Sequence, residues 1–194
     1  HLGRSPLTGV RIPLGYFRWR ITKNGFTAVE AAGPLVGGTG GYTLDKEGVG
    51  PGGMVRVPAG KFVANLAGFG YIGPLPLAEY WIDKYEVTNK QFKEFVDRGG
   101  YQKREYWKHK FAKDGRVLSW QQAVAEFRDP TGRPGPSTWE AGTCPEGKDD
   151  FPVSGVSWYE AAAYAEFAGK SLPTLSHWYQ AAQVAAAPYS VPLS

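Results

Sequence analysis

The chain is short of the groups from which redox and metal centres are built. It has one cysteine in 194 residues, Cys144, which excludes an internal disulfide and a multi-cysteine zinc site. Its three histidines, His1, His109 and His177, are too scattered to mark a metal triad. No apolar run is long enough to span a membrane, and no basic-then-apolar signal segment opens the chain. No internal repeat of fixed period occurs. The absence of disulfides leaves the compartment open, since exported bacterial domains also lack them. The chain starts at His1 rather than Met, which reads as a fragment, so signals outside it are not visible in this sequence.

What is present is globular. Hydrophobic residues make up 42% and aromatics 14%, with seven Trp, enough to bury a core and to set aside global disorder. Gly (26) and Pro (15) predict much turn and loop and argue against a helical bundle. The net charge of +4 is local: Arg98–Arg116 carries seven Lys/Arg against Glu105 and Asp114, a net +5, and the remainder sums to −1.

Residues 9–31 predict a β-hairpin. Phe17, Trp19 and Ile21 alternate with Arg18, Arg20 and Thr22, the period of a half-buried strand, and Asn24-Gly25 is a two-residue turn signal. The Gly-rich stretch 33–53 reads as a linker with one short strand near Tyr42–Leu44. Met54–Val57 and Phe62–Ala64 predict short strands around Pro58-Ala59-Gly60, and Tyr80–Ile82 and Tyr85–Val87 predict two more.

Four helix starts are legible. Thr88-Asn89-Lys90-Gln91, Ser119-Trp120-Gln121-Gln122 and Ser157-Trp158-Tyr159-Glu160 are capping boxes, in which the hydroxyl and the Gln or Glu side chain each satisfy one end-on backbone N–H. Apolar stripes follow at helical spacing: Phe92, Phe95 and Val96; Ala123, Val124 and Phe127; Ala161, Tyr164, Ala165 and Ala168. Gly99-Gly100, Asp129-Pro130 and Gly169 end them. Thr174 caps a last helix over Leu175–Ala186, stopped by Pro188. Between the second and third helices lies the long polar connection Pro130–Asp150, which Trp139 is expected to anchor.

MVRVPAGKF (54–62), WIDKYEVTNKQFKEFV (81–96) and FPVSGVSWYEAAAYAEFAGKSLPT (151–174), in that order, resemble the sulfatase-modifying-factor domain of the formylglycine-generating enzyme family. The likeness runs from about Met54 to about Ala182. It implies an α+β, C-type-lectin-like fold, incomplete at the C-terminus and preceded by a small β module: 1–50 the module, 51–194 the domain. GRPGPSTWE and SLPTLSHW further resemble a bacterial subgroup joined to Ser/Thr protein kinases. The family's enzymes oxidise a sulfatase cysteine to formylglycine with O2 and, as the resemblance implies, copper held by two cysteines. Those cysteines, the calcium sites and the GNVxEW and RGGSW motifs belong to the family's second half. No position here matches them, so no catalytic, cofactor-binding or metal residue is assigned. Where the family reads LPTEAEWE, this chain has Leu175 and His177 at the acidic positions.

The resemblance therefore implies a non-catalytic binding or sensor module; the alternative is part of an enzyme that oxidises a protein cysteine. Expected partners are a protein, peptide or carbohydrate ligand and a covalently linked kinase domain, not nucleic acid. A membrane-anchored kinase would put the module outside the cytoplasm.

Individual candidates read as follows. Cys144, ringed in sequence by Glu140, Glu146, Asp149 and Asp150, is an incidental surface or loop cysteine, since a reactive thiolate needs positive surroundings. His177 is a packing or hydrogen-bonding histidine. Gly68-Phe69-Gly70-Tyr71-Ile72-Gly73 matches the dinucleotide pattern, but Pro74-Leu75-Pro76 cannot open the required helix, so it reads as a flexible loop. Tyr101–Lys113 interleaves cations with rings. It reads as a solvated irregular segment anchored by Tyr106, Trp107 and Phe111, with an anionic partner as the alternative. Trp81, Trp107, Trp120, Trp139, Trp158 and Trp178 read as core, and any exposed one is informative.

Overall fold

The computed structural model describes residues 1–13, 15–34, 42–66 and 70–182. The chain forms two compact units, His1–Ile82 with Tyr179–Ser194, and Asp83–Trp178. Strands and helices are mixed, and the described strands pair two by two.

In the first unit, β1 (Tyr16–Lys23) and β2 (Phe26–Pro34) form the expected antiparallel hairpin. Only Gly25 of the turn takes positive φ (77°), and the register shifts between Ile21 and Lys23, so the turn comes with a bulge. The Lys23 ammonium lies 4.4 Å from the Phe26 ring centre, across the closing pair. Trp19 donates its indole N–H to the Tyr42 hydroxyl at 2.7 Å. The strand expected at Tyr42–Leu44 is absent. Residues 42–45 carry no regular structure, and the hairpin is met by backbone bonds from Thr27 N–H to Asp45 and from Glu47 N–H to Gly25, around a single bridge at Lys46.

The strands β3 (Met54–Val57) and β4 (Gly60–Leu66) form as expected but do not pair with each other. β3 pairs with β6 (Tyr80–Asp83), and β4 with β5 (Gly70–Leu77). Residues 70–73 are strand, not part of the flexible loop expected over 68–73. Gly68 and Phe69 lie outside the described residues, but Gly70–Gly73 opens β5, antiparallel to β4. Pro74 and Pro76 are tolerated because β5 has an edge with no partner among the described residues. A Cβ at Gly73 would sit 2.5 Å from the Phe62 carbonyl oxygen. That glycine serves close backbone approach, not a phosphate.

The second unit holds α1 (Asn89–Asp97), β7 (Phe111–Lys113), β8 (Arg116–Leu118), α2 (Trp120–Val124) and α3 (Trp158–Phe167); α4 (Leu175–Ala182) begins in it. All three capping boxes are formed, from Thr88, Ser119 and Ser157. The last helix is described to Ala182; its expected stretch to 186 and Pro188 lie outside the described residues. Tyr85–Val87 is not a strand. Val87 accepts from the Val153 N–H at 2.9 Å, and the adjoining Thr88 makes a single bridge with Pro152.

The core of this unit is aromatic: Phe92, Phe95, Tyr101, Trp107, Phe111 and Trp139 are buried with Ala123, Ala163 and Cys144. Phe92 stacks on Tyr164 at 5.4 Å and meets Trp139 edge-on at 6.1 Å; Trp107 stacks on Phe127 at 5.5 Å. Gly100 lets this packing close, since a Cβ there would lie 2.2 Å from the Phe95 ring. The long connection is held as expected by Trp139. Its indole N–H donates to Asn89 Oδ1 at 2.9 Å, while Asn89 Nδ2 donates to the Lys148 carbonyl at 2.9 Å. Asn89, buried at the first turn of α1, therefore fastens both arms of the loop.

Candidate functional site

The hairpin β7–β8 turns at Asp114-Gly115, both at positive φ (51° and 74°), the geometry of a two-residue turn whose twist matches the strands. Lys113 pairs with Arg116, Ala112 with Val117 and Phe111 with Leu118. Just before it, a single 3-10 turn at Arg104–Tyr106 carries the chain over the core, with Tyr101, Trp107 and Phe111 pointing inward. Alternate cations are thereby thrown outward, and Arg104, Lys108 and Lys110 are exposed. With His109, β8 and the start of α2 they line an open cleft of about 510 Å³.

No carboxylate lines this cleft. The Arg104 guanidinium donates to the Trp107 carbonyl, which fixes it in place. His109 meets Trp158 edge-on, ring centres 4.6 Å apart, and Trp158 is 56% exposed. Trp120 forms part of the wall, its indole N–H buried without an acceptor among the described residues. A basic, partly aromatic cleft of this kind can bind an anion; it holds no nucleophile–base pair. The sequence placed the cations and rings in one segment, but not the hairpin that shapes the cleft. Asp114-Gly115 flanked by β-formers was the signal for it.

A second hollow, of about 340 Å³, borders Glu160, Arg128 and Ser157. Glu160 is buried, accepting from the Tyr101 hydroxyl at 2.5 Å and the Ser157 N–H at 2.7 Å. Burial raises its pKa despite these hydrogen bonds, and burial beside Glu160 raises that of Tyr101. Both groups are thus spoken for inside the fold. The same holds for Asp129. Burial pushes its carboxyl upward, but donors from Thr131, Gly142 and Arg133 outweigh this and hold it at about 2.

Cys144 is 9% exposed, so it is a loop cysteine but not a surface one. Its Sγ lies 3.9 Å from Asp149 Oδ1. Burial, and then the Asp149 charge, push its thiol above the ordinary value. One protonated thiol does not fit the two-thiolate copper centre implied by the family. Among the described residues no three His, Cys, Asp or Glu gather as a metal site. His177 Nδ1 lies 2.8 Å from the Thr174 hydroxyl, joining the cap of α4. His1 is exposed, and the three histidines do not come together within any described cluster. Of the six singled-out Trp, Trp107 and Trp139 are core, whereas Trp158 and Trp178 are about half exposed.

The sulfatase-modifying factor enzyme 1-like domain model matches residues 43–191. The formylglycine-generating enzyme of Thermomonospora curvata is 34% identical over 155 residues, 68% of this chain and 48% of that protein. The inactive C-alpha-formylglycine-generating enzyme 2 of Bos taurus is 31% identical over 153 residues, 67% of this chain and 48% of its own length. The hercynine oxygenase of Mycolicibacterium smegmatis is 29% identical over 178 residues, 90% of this chain and 34% of the relative. The chain thus spans about half or less of these relatives. With three-quarters of its residues under the domain model, it belongs to the sulfatase-modifying factor enzyme 1-like family.

Proposed function

We propose that this chain acts as a binding or sensor module on a C-type-lectin-like scaffold, engaging an anionic partner through the cleft beside β7–β8 and performing no redox turnover itself. One contrast carries the reading. The cleft presents Lys108 and Lys110 without carboxylate partners among the described residues, while the one thiol is buried and biased toward protonation. The division at residue 50, with a β module ahead of the domain, and linkage to a kinase belong to the same proposal.

The reading is tested by incubating the chain with copper, O2 and a cysteine-containing peptide. No aldehyde is expected, and an aldehyde-bearing product would overturn the non-catalytic role. The alternative is that the chain forms part of an enzyme oxidising a protein cysteine to formylglycine. The identity to the Thermomonospora enzyme favours it, and the relative named inactive favours the module. Iodoacetamide labelling tests the state of the one thiol. Cys144 should react more slowly than a free cysteine, and faster reaction would overturn the withdrawn thiol on which the module reading rests.

A further inference from the structure

We propose that the cleft takes an extended acidic peptide, held by its carboxylates on Lys108 and Lys110 and by its backbone along the open edge of β8. This rests on reading the cleft as the module's ligand site.

In this unit Lys93 is paired with Asp97, Arg98 with Glu94, Lys113 with Glu126 and Lys170 with Asp83. Lys108 and Lys110 have no such partner among the described residues, and the lining adds Arg104 and no carboxylate. An oppositely charged ligand would supply the pairing that these two cations lack.

A two-residue turn makes its closing pair, Lys113 and Arg116, the hydrogen-bonded kind, so the next pair, Ala112 and Val117, is the kind whose N–H and C=O point away from the partner strand. Ala112 behaves accordingly: its N–H donates outward to the Tyr159 hydroxyl at 3.1 Å, which closes that edge. By the same alternation Val117 turns its N–H and C=O outward on the other side. No described residue takes them, and Val117 is 76% exposed. An N–H and a C=O from one residue of a strand edge match an extended peptide, which adds as a further strand. A sugar polyanion would use the cations but has no backbone of that spacing. The chemistry thus favours a peptide with acidic side chains on one face and small apolar ones on the other, against Val117.

The test uses the whole chain and a fluorescent peptide of about eight alternating Glu and Val residues, read by anisotropy. Binding is expected, weakening at least about tenfold when salt rises from about 0.05 to about 0.5 M. Lys108→Glu with Lys110→Glu should weaken it by a similar factor with an unchanged melting curve; binding insensitive to this pair would overturn the proposal. The same peptide N-methylated at alternate residues keeps its charge but loses its donors on one edge. It should bind several-fold more weakly in one of the two methylation registers, and equal affinity in both would overturn the edge pairing. Val117→Pro, which removes the outward N–H without touching the ladder, should mimic that loss. Binding of polyglucuronate but not the peptide, in a manner dependent on Lys108 and Lys110, would overturn the peptide and leave the cleft as the ligand site. Binding of neither would overturn both.

Discussion

The two hairpins of this protein begin from nearly the same instruction and end differently. β1–β2 turns at Asn24-Gly25 and β7–β8 at Asp114-Gly115. In the first, glycine alone takes positive φ and a bulge absorbs the mismatch; in the second, both residues do and the ladder runs without a shift. The first presents half-exposed rings, with Trp19 leaning on Tyr42. The second is three residues long on each side, yet Phe111 drops into a buried aromatic cluster and Tyr159 seals one edge. Turn chemistry sets where a chain reverses. Burial of one face sets how much the reversal contributes to stability.

The comparison can be pressed experimentally. The largest effect is expected from Trp139→Ala, which empties a buried site and leaves Asn89 Oδ1 without its donor, at about 4 kcal/mol by urea denaturation; Trp19→Ala in the first hairpin should cost under about 1 kcal/mol. Equal costs would refute the contrast in burial. Asn89→Ala follows at about 2–3 kcal/mol, since it strands the Trp139 donor and releases the Lys148 carbonyl. Hydrogen exchange over 130–150 should rise in that variant; unchanged protection there would show that the loop has other fastenings.

Smaller still, Gly115→Ala and Gly25→Ala each force a side chain into left-handed backbone and should cost about 1 kcal/mol. The former should also loosen peptide binding at the cleft, and a loss at Gly25 alone would reverse the expectation.

The response to pH has a sign that differs between two buried carboxyls. Asp129, lowered to about 2 from 3.8, stabilises the fold above 3.8, and that contribution disappears as pH falls toward 2. Glu160 is raised, so its contribution is complete below 4.5 and declines as pH rises through its folded value. Asp129→Asn should therefore flatten the acid limb of a stability–pH curve, and Glu160→Gln the limb above 4.5. Parallel curves for the two variants would contradict the assigned directions.

Much of the architecture was legible because its signals are local. A hydroxyl three residues before Gln or Glu, followed by an apolar stripe, specifies a helix start through bonds within one turn, and three such starts formed as read. Pairing was not legible, because short strands carry no address. Met54–Val57 and Phe62–Ala64 looked like neighbours and each took a later strand. Residues 68–73 read as a flexible loop, yet 70–73 open a strand in which Gly73 leaves room for the backbone of β4. Cys144 sits in a polar sequence yet is buried, since a long connection folds back over α1 through Asn89.

Sequence alone determined where the helices begin, that the Tyr101–Lys113 segment mixes cations with rings, and that one thiol must serve for any cysteine chemistry. Those properties depend on composition or on contacts within a few residues. Tertiary structure decided which strands meet, that the rings turn inward so the cations turn out, and that the thiol is withdrawn from water. Each of those depends on groups distant in sequence competing for the same buried volume, which no local pattern encodes.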